Sequence, residues 1–477
     1  MHTRPTLRPA SLAAALLMAL AACGLNTHPP HTPGPGASFA ESIGPLGHVD
    51  AAGIQADLEA LETIAEANGG VRTAGTAGYE ASVDYVAGKL RDLGYAVQTP
   101  AFAMATFAEE PGATIRVAGG ATFKGGPDFH AMIYSSSGDL TARIAEVGYG
   151  TNQSGGCSPS DFADFPRGAI ALAPPGNCFR RDAVLNAVAA GAVALIVAYP
   201  QWSTSAVRRP TLLFPDGIEI PAISASAEVG AALRAAAEGG SQVSISVHTD
   251  IGSAMVRNVI AESHAVADRV VMLGGHLDSV HDGPGINDNS SGSAALLGVA
   301  RVLAEQHATV RVRFAFWAGE EFGLLGSRDY VASLRSAEQA EISAYLNFDM
   351  LGSPNYVPFV YDAPSAALGS ARIADFLVSY LKEAGVGAEP RDLGSSSDHA
   401  SFDGLGIPTG GIFTGATETK SGAQAAKFGG MADAPMDACY HLACDTLANV
   451  DVDLVAEFAD AALAVAVAIA SGHLPLS

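Results

Sequence analysis

Basic side chains are scarce. Lysine and arginine number 26 against 49 aspartates and glutamates, a net charge of −23 over 477 residues. No basic patch is available for phosphates, which excludes nucleic acid as a partner. The acidity says little else, because it mainly tunes solubility and association. Charged residues of either sign make up only 16% of the chain against 48% apolar. Large buried cores are therefore possible, and the length allows two or three domains. No internal repeat and no membrane-spanning run is visible, and cysteines number only five.

The N-terminus reads as a targeting segment. Arg4 and Arg8 precede a short apolar stretch, Ser11 to Ala22, too short to span a bilayer. Leu20-Ala21-Ala22-Cys23 resembles a bacterial lipoprotein signal, which implies residues 1–22 as signal peptide and a lipid on Cys23 as the one link to a membrane. An ordinary signal cut near an Ala-x-Ala site is the alternative. Either way the chain is exported, to the cell envelope if lipidated and otherwise to the periplasm or medium. Residues 23–45 form a Pro- and Gly-rich tether. With Cys23 set aside, Cys157, Cys178, Cys439 and Cys444 remain. Export favours disulfides; Cys157–Cys178 and Cys439–Cys444 are the local pairings among three possible connectivities.

Ile54, Leu58, Leu61 and Ile64 mark a helix over Asp50–Asn68, and Val83, Val86 and Leu90 mark another over Tyr79–Leu93. From about Glu109 the texture changes to short alternating strands separated by glycines, without a cluster of histidines or carboxylates. From Asn258 onward, strands and helices alternate to the end. That alternation predicts an α/β fold: a doubly wound mixed, mostly parallel sheet flanked by helices on both faces. The region between is a β-rich α+β insert. The boundaries are 46–108 and 253–477 for the α/β domain and 109–252 for the insert.

The chemistry collects at strand ends of the α/β domain, where ligands bind in open sheets. Val270 to Leu273 is a buried strand followed by His276 and Asp278; a Gly/Pro/Asn loop then carries Asp288 to the entrance of a helix. The strand Val310–Phe316 runs into Trp317-Ala318-Gly319-Glu320-Glu321, and Ser343–Met350 ends in Asn347-Phe348-Asp349. His441 lies between Cys439 and Cys444, beside Tyr440. Each feature alone has a plain structural alternative: an acidic helix start, a capping aspartate, a histidine in a stapled turn. Together, His276, Asp288, Glu321, Asp349 and His441 are two histidines and three carboxylates on one domain. They suit two zinc ions sharing a bridging carboxylate, with Asp288 as the natural bridge. Asp278 is placed to orient the His276 imidazole. Of the paired glutamates, one can bind metal while the other acts as general base, and the Tyr440 hydroxyl can donate to a developing oxyanion.

These motifs resemble metallopeptidase family twenty-eight, closest to its aminopeptidase S and aminopeptidase Y type. The match rests on His276-Leu277-Asp278-Ser279-Val280, Gly285-Ile286-Asn287-Asp288-Asn289, Ala318-Gly319-Glu320-Glu321-Phe322-Gly323, Asn347-Phe348-Asp349-Met350, Ser397-Asp398-His399-Ala400 and Cys439-Tyr440-His441. The resemblance implies one zinc on His276, Asp288 and Asp349 and another on Asp288, Glu321 and His441. It implies Glu320 as base, Tyr440 steadying the tetrahedral intermediate, and peptides with large apolar N-terminal residues as substrates. Asp398 and His399 support the site without ligating. Ser396 stands where relatives often carry an arginine near the substrate amine, which implies a different recognition of the free N-terminus. A carboxypeptidase or glutaminyl cyclase on the same fold, or a non-catalytic receptor, is the alternative. Within the insert, Cys157, Asp161-Phe162, Gly168-Ala169-Ile170-Ala171-Leu172, Asn177-Cys178-Phe179 and Ile220-Pro221-Ala222 resemble the protease-associated (PA) domain.

Overall fold

The computed structural model describes residues 46–150, 153–199, 207–362 and 367–476. The expected signal segment, the tether and Cys23 lie outside the described residues. Among those described, no helix is long and apolar enough to cross a membrane.

One sheet organises the α/β unit. Its strands are β1 (Ala96–Gln98), β2 (Val259–Glu262), β3 (Val270–His276), β4 (Val312–Trp317), β5 (Ile342–Phe348), β6 (Phe359–Tyr361), β7 (Glu389–Arg391) and β8 (Thr409–Phe413). In space they run β1-β2-β4-β3-β5-β8-β6-β7. The centre, β4-β3-β5-β8, is parallel; β1, β2 and β6 pair antiparallel. The expected mixed, mostly parallel sheet is observed.

Its central strands are apolar on both faces because both faces are covered. Successive side chains alternate. Val271, Leu273, Phe314 and Phe316 enter one core. It is shared with α1 (Ala51–Ala67), α2 (Ala77–Asp92), α3 (Gly292–Glu305) and α5 (Val452–Ala470). Val270, Met272, Ala315 and Trp317 enter the other, closed by Tyr330 of α4 (Leu325–Ser333) and by Phe402. In that second core Tyr345 stacks on Phe402 with ring centroids 3.9 Å apart. Its hydroxyl accepts from the Trp317 indole and donates to Asn347 Oδ1, each at 2.8 Å. Aromatic area is buried there with no polar atom stranded.

A long two-stranded ribbon, Ala101–Glu109 against Thr249–Arg257, carries the chain out of this unit and back. Beyond it lies a second eight-stranded sheet with helices Arg180–Ala190 and Ala227–Glu238. The second helix is absent from the sequence-based reading. Cys157 pairs with Cys178 and Cys439 with Cys444, the two local pairings.

An ion cluster joins the two units. Arg209 of the insert pairs with Glu109 and with Asp282 at 3.1 Å, and His130 Nδ1 lies 3.3 Å from the same Glu109 carboxylate. Burial would raise both carboxyls, but His130 and Arg209 hold Glu109 below its ordinary range, and Arg209 does the same for Asp282. Carboxylates with depressed folded pKa values stabilise the fold above the ordinary carboxylate range and lose that contribution as pH falls through the folded values. Arg209→Met removes the guanidinium, so burial dominates, the carboxyl pKa values rise, and acid relieves the variant. The Tm gap between wild type and Arg209→Met is therefore expected to be widest near neutrality and to narrow as pH falls towards about 4. A gap independent of pH would show that the cluster's charges do not set it.

Candidate active site and metal centre

The carboxyl ends of β3, β4 and β5 open onto one pocket of about 250 Å³. Each strand end delivers one part of it. His276 is the last residue of β3. Beyond it, Arg72 holds two loops in place: its buried guanidinium donates to the carbonyls of Leu277, Pro284 and Gly285. Burial lowers this arginine to about 10. The Asp288 loop is fixed from outside as well. The Asp445 carboxylate accepts from the main-chain N–H groups of Asn287 and Asp288 at 2.8 and 3.0 Å. Asn289 donates to Phe348 O at 2.8 Å and accepts from Gly292 N at 2.8 Å, tying the loop to the end of β5. Gly292 belongs at that junction because a Cβ would stand 2.2 Å from Phe348 O.

Glu320 and Glu321 sit on a tight turn between β4 and α4. The Glu320 carbonyl accepts from Gly323 and Leu324, and Gly319 and Gly323 both have positive φ, which glycine adopts without strain. Asp349 follows β5, and its Oδ2 accepts from Ser397 Oγ at 2.7 Å. His441 lies at φ +59° in the loop closed by Cys439–Cys444, its ring stacked on Tyr440 with centroids 3.8 Å apart.

These elements converge on Asp288. His276 Nε2 is 3.1 Å from Asp288 Oδ1 and 3.4 Å from Asp349 Oδ1. His441 Nε2 is 3.1 Å from Asp288 Oδ2 and 3.1 Å from Glu321 Oε2. Two trios result, His276–Asp288–Asp349 and Asp288–Glu321–His441, each with ligand atoms within 4.8 Å of one another. The Asp288 carboxylate belongs to both, one oxygen facing each imidazole.

The electrostatics call for cations. Asp278, Asp288, Glu320, Glu321 and Asp349 place five carboxyls around two imidazoles, with Asp278, Asp288, Glu321 and Asp349 buried. Burial pushes Glu321 up to about 7 and Glu320 well above its usual range. Burial would lower His441, but Glu321 and Asp288 override it and raise the imidazole to about 10. Glu321 Oε1 and Asp349 Oδ1 are buried without a hydrogen-bond partner among the described residues. Buried acceptor-only oxygens facing neutralisable imidazoles fit a hard-to-intermediate divalent ion. Bound metal would take the place of the protons on the histidines.

All the residues singled out from the sequence line or adjoin this pocket, but Asp278 makes different contacts from those expected. His276 Nδ1 is 3.0 Å from the Asp278 main-chain oxygen, whereas the carboxylate oxygen is 3.7 Å away. Asp278 Oδ1 instead accepts from Glu320 N at 3.2 Å, linking the His276 strand end to the glutamate turn. Arg72 and Asp445 are supporting residues that the reading from sequence passed over, and Asn289 and Ser397 stand in its motifs without a role of their own. Met350, Tyr361, Leu393 and Phe413 also line the pocket. At its edge Arg391 pairs with Glu418 at 2.7 Å and lies 4.6 Å over the Phe359 ring.

Comparison with known proteins agrees with this geometry. A profile of Peptidase family M28 matches residues 258–466, and one of the PA domain matches residues 137–233. The chain is 40% identical to a probable lipoprotein aminopeptidase, LpqL, of Mycobacterium tuberculosis, over 94% of this chain and 92% of the relative. It is 39% identical to an aminopeptidase of Pseudomonas aeruginosa, over 85% and 78%. Among solved structures it superposes on an aminopeptidase from Aneurinibacillus sp. strain AM-1 with a TM-score of 0.72 and 25% identity, covering 91% of this chain and 96% of that one.

Proposed function

From the premise that the chain belongs to peptidase family M28 and is a metallo-aminopeptidase of that family, we propose that it removes large apolar N-terminal residues from peptides with two zinc ions. The observation that carries the reading is the shared carboxylate: Asp288 offers one oxygen to each of two ligand trios. His276, Asp288 and Asp349 would hold one ion, and Asp288, Glu321 and His441 the other. Zinc supplies Lewis acidity towards the scissile carbonyl and acidifies water when bound.

The rest falls to the protein. Glu320 takes a proton from the attacking water and delivers it to the leaving amine nitrogen, and its raised pKa suits that exchange. The Tyr440 phenol donates to the oxyanion; burial keeps it protonated. Asp349 and Glu320 supply the negative charge that receives the substrate's α-ammonium group. Met350, Tyr361, Leu393 and Phe413 provide apolar surface for the N-terminal side chain. A carboxypeptidase would need a cation free for the substrate carboxylate, and the arginine at this pocket, Arg391, is already paired with Glu418. We further propose export and a lipid anchor on Cys23, a reading supported by Leu20-Ala21-Ala22-Cys23 and by the lipoprotein relative.

The test is hydrolysis of aminoacyl-p-nitroanilides beside N-blocked versions, before and after chelation and zinc restoration, with zinc counted per chain. Zinc-restorable cleavage of unblocked substrates alone, led by leucyl and phenylalanyl, with two zinc ions per chain, is the expected result. Cleavage of N-blocked substrates would overturn the exopeptidase reading, and saturation at one ion would overturn the paired centre.

A further inference from the structure

One segment of the insert reaches the active site. Residues 207–213 are fastened to the insert by Ile133 N donating to Pro210 O at 3.0 Å, Leu212 N to Ile133 O at 3.1 Å and Ser224 Oγ to Arg208 O at 2.6 Å. From this segment, contacts go to three loops that build the site. Arg208 Nε donates to the main-chain oxygen of Tyr440 at 2.9 Å. Arg209 pairs with Asp282, four residues beyond Asp278. Leu213 packs on Gly323, where a Cβ would stand 3.0 Å from Leu213 Cδ2, in the turn that bears Glu320 and Glu321.

We propose that Arg208 is a positioning residue for the reaction, acting through Tyr440, so that the insert is part of the catalytic scaffold. The carbonyl that Arg208 holds belongs to the peptide between Tyr440 and His441. A hydrogen bond from a charged donor to it restrains the plane of that peptide. The plane sets the direction in which the tyrosine leaves the main chain. Arg208 is 5% exposed, and its own main chain is held by Ser224. The donor is thus anchored in a sheet outside the peptidase unit. A loop closed over six residues needs such outside restraint, because His441 already occupies a left-handed conformation at φ +59°, uncommon for a residue with a Cβ. Displacing Tyr440 by even about 1 Å would weaken its bond to the oxyanion, which is worth much only in the transition state. The effect therefore belongs in kcat and not in ground-state binding.

This inference rests on the assignment of Tyr440 as oxyanion donor, and a double-mutant cycle in the full-length zinc enzyme separates the two. With leucyl-p-nitroanilide, Arg208→Ala is expected to lower kcat between about 10- and 100-fold, to change KM by less than about threefold, and to leave zinc content unchanged. Tyr440→Phe is expected to lower kcat by on the order of 10²-fold. Adding Arg208→Ala to Tyr440→Phe is expected to cost no more than about twofold further, since the group being positioned is gone. Should the alanine variant not fold, Arg208→Lys keeps the cation, removes the Nε donor and carries the same expected non-additivity. Multiplicative losses in the double variant, or wild-type kcat in Arg208→Ala, would overturn the inference while leaving the tyrosine in its role. Loss of zinc from Arg208→Ala would also overturn it, placing the effect on His441. An unimpaired Tyr440→Phe enzyme would sink the tyrosine assignment and this inference with it.

Discussion

Glu320→Gln is expected to lower kcat by on the order of 10²–10⁴-fold while zinc content and fold stay those of the wild type. Glu320 lies at the pocket with Asp349 and Tyr440, yet it belongs to neither trio built on Asp288. Glutamine keeps the size and the turn, whose main-chain bonds to Gly323 and Leu324 do not involve the side chain. What it loses is the capacity to carry a proton. Burial, with Glu321, Asp398 and Asp349 nearby, raises the Glu320 carboxyl well above its usual range. A carboxyl poised this way can both accept a proton from water and release it to an amine. Single-turnover kinetics on leucyl-p-nitroanilide with zinc counted in parallel is the measurement. Retained activity would remove Glu320 as the base, and lost zinc would make it a ligand instead. His276, Glu320 and Glu321 also lie within reach of one another, so the zinc count is what decides between those roles.

What the sequence makes legible, and what it leaves hidden, follows from how each feature is encoded. The central strands are legible because they are buried on both faces and so read as continuous apolar runs, Val270–Leu273 being the plainest. The ligands are legible because a strand end is a fixed place in such a sheet: His276 closes one strand, and Glu321 and Asp349 each follow another. The helix Ala227–Glu238 has a strong intrinsic preference, half its residues being alanine, and buries Val229, Leu233 and Ala236 at helical spacing, yet it escapes among the short strands of the insert. Ser226, which caps it by accepting from Val229 N at 3.3 Å, is the signal that was available. Arg72 and Asp445 escape for a different reason. Arg72 meets its carbonyls across more than 200 positions of sequence, and Asp445 meets the Asp288 loop across 157. A buried charge satisfied by distant main-chain groups leaves no local pattern. The same holds for Arg208, whose bond to Tyr440 spans 232 positions and two folding units.

Asp288→Asn is expected to abolish turnover, by on the order of 10⁴-fold or more, and to deplete both metal positions, where other ligand substitutions deplete one. The distinction is geometric. Asp349 and His276 serve only the first Asp288 trio, and Glu321 and His441 only the second. Asp288 presents Oδ1 to His276 and Oδ2 to His441 at equal distances of 3.1 Å. Asparagine preserves the shape and leaves the main-chain bond to Asp445 intact. However, its single carbonyl oxygen cannot face both trios, and it carries no charge to set against the two dications proposed for them. Asp349→Ala and Glu321→Ala are each expected to retain about one zinc per chain after removal of free metal. Stability gives an independent readout. Ligand that binds only the folded state stabilises it by RT ln(1 + [L]/Kd), about 2.7 kcal/mol per site at a hundredfold excess over Kd. Zinc added to the chelated wild type should therefore raise Tm in proportion to two sites, added to Asp349→Ala in proportion to one, and added to Asp288→Asn hardly at all. If Asp288→Asn instead bound one zinc as Asp349→Ala does, with a matching rise in Tm, Asp288 would be an ordinary ligand of a single ion. The second trio would then have to be held together by Glu321 and His441 alone.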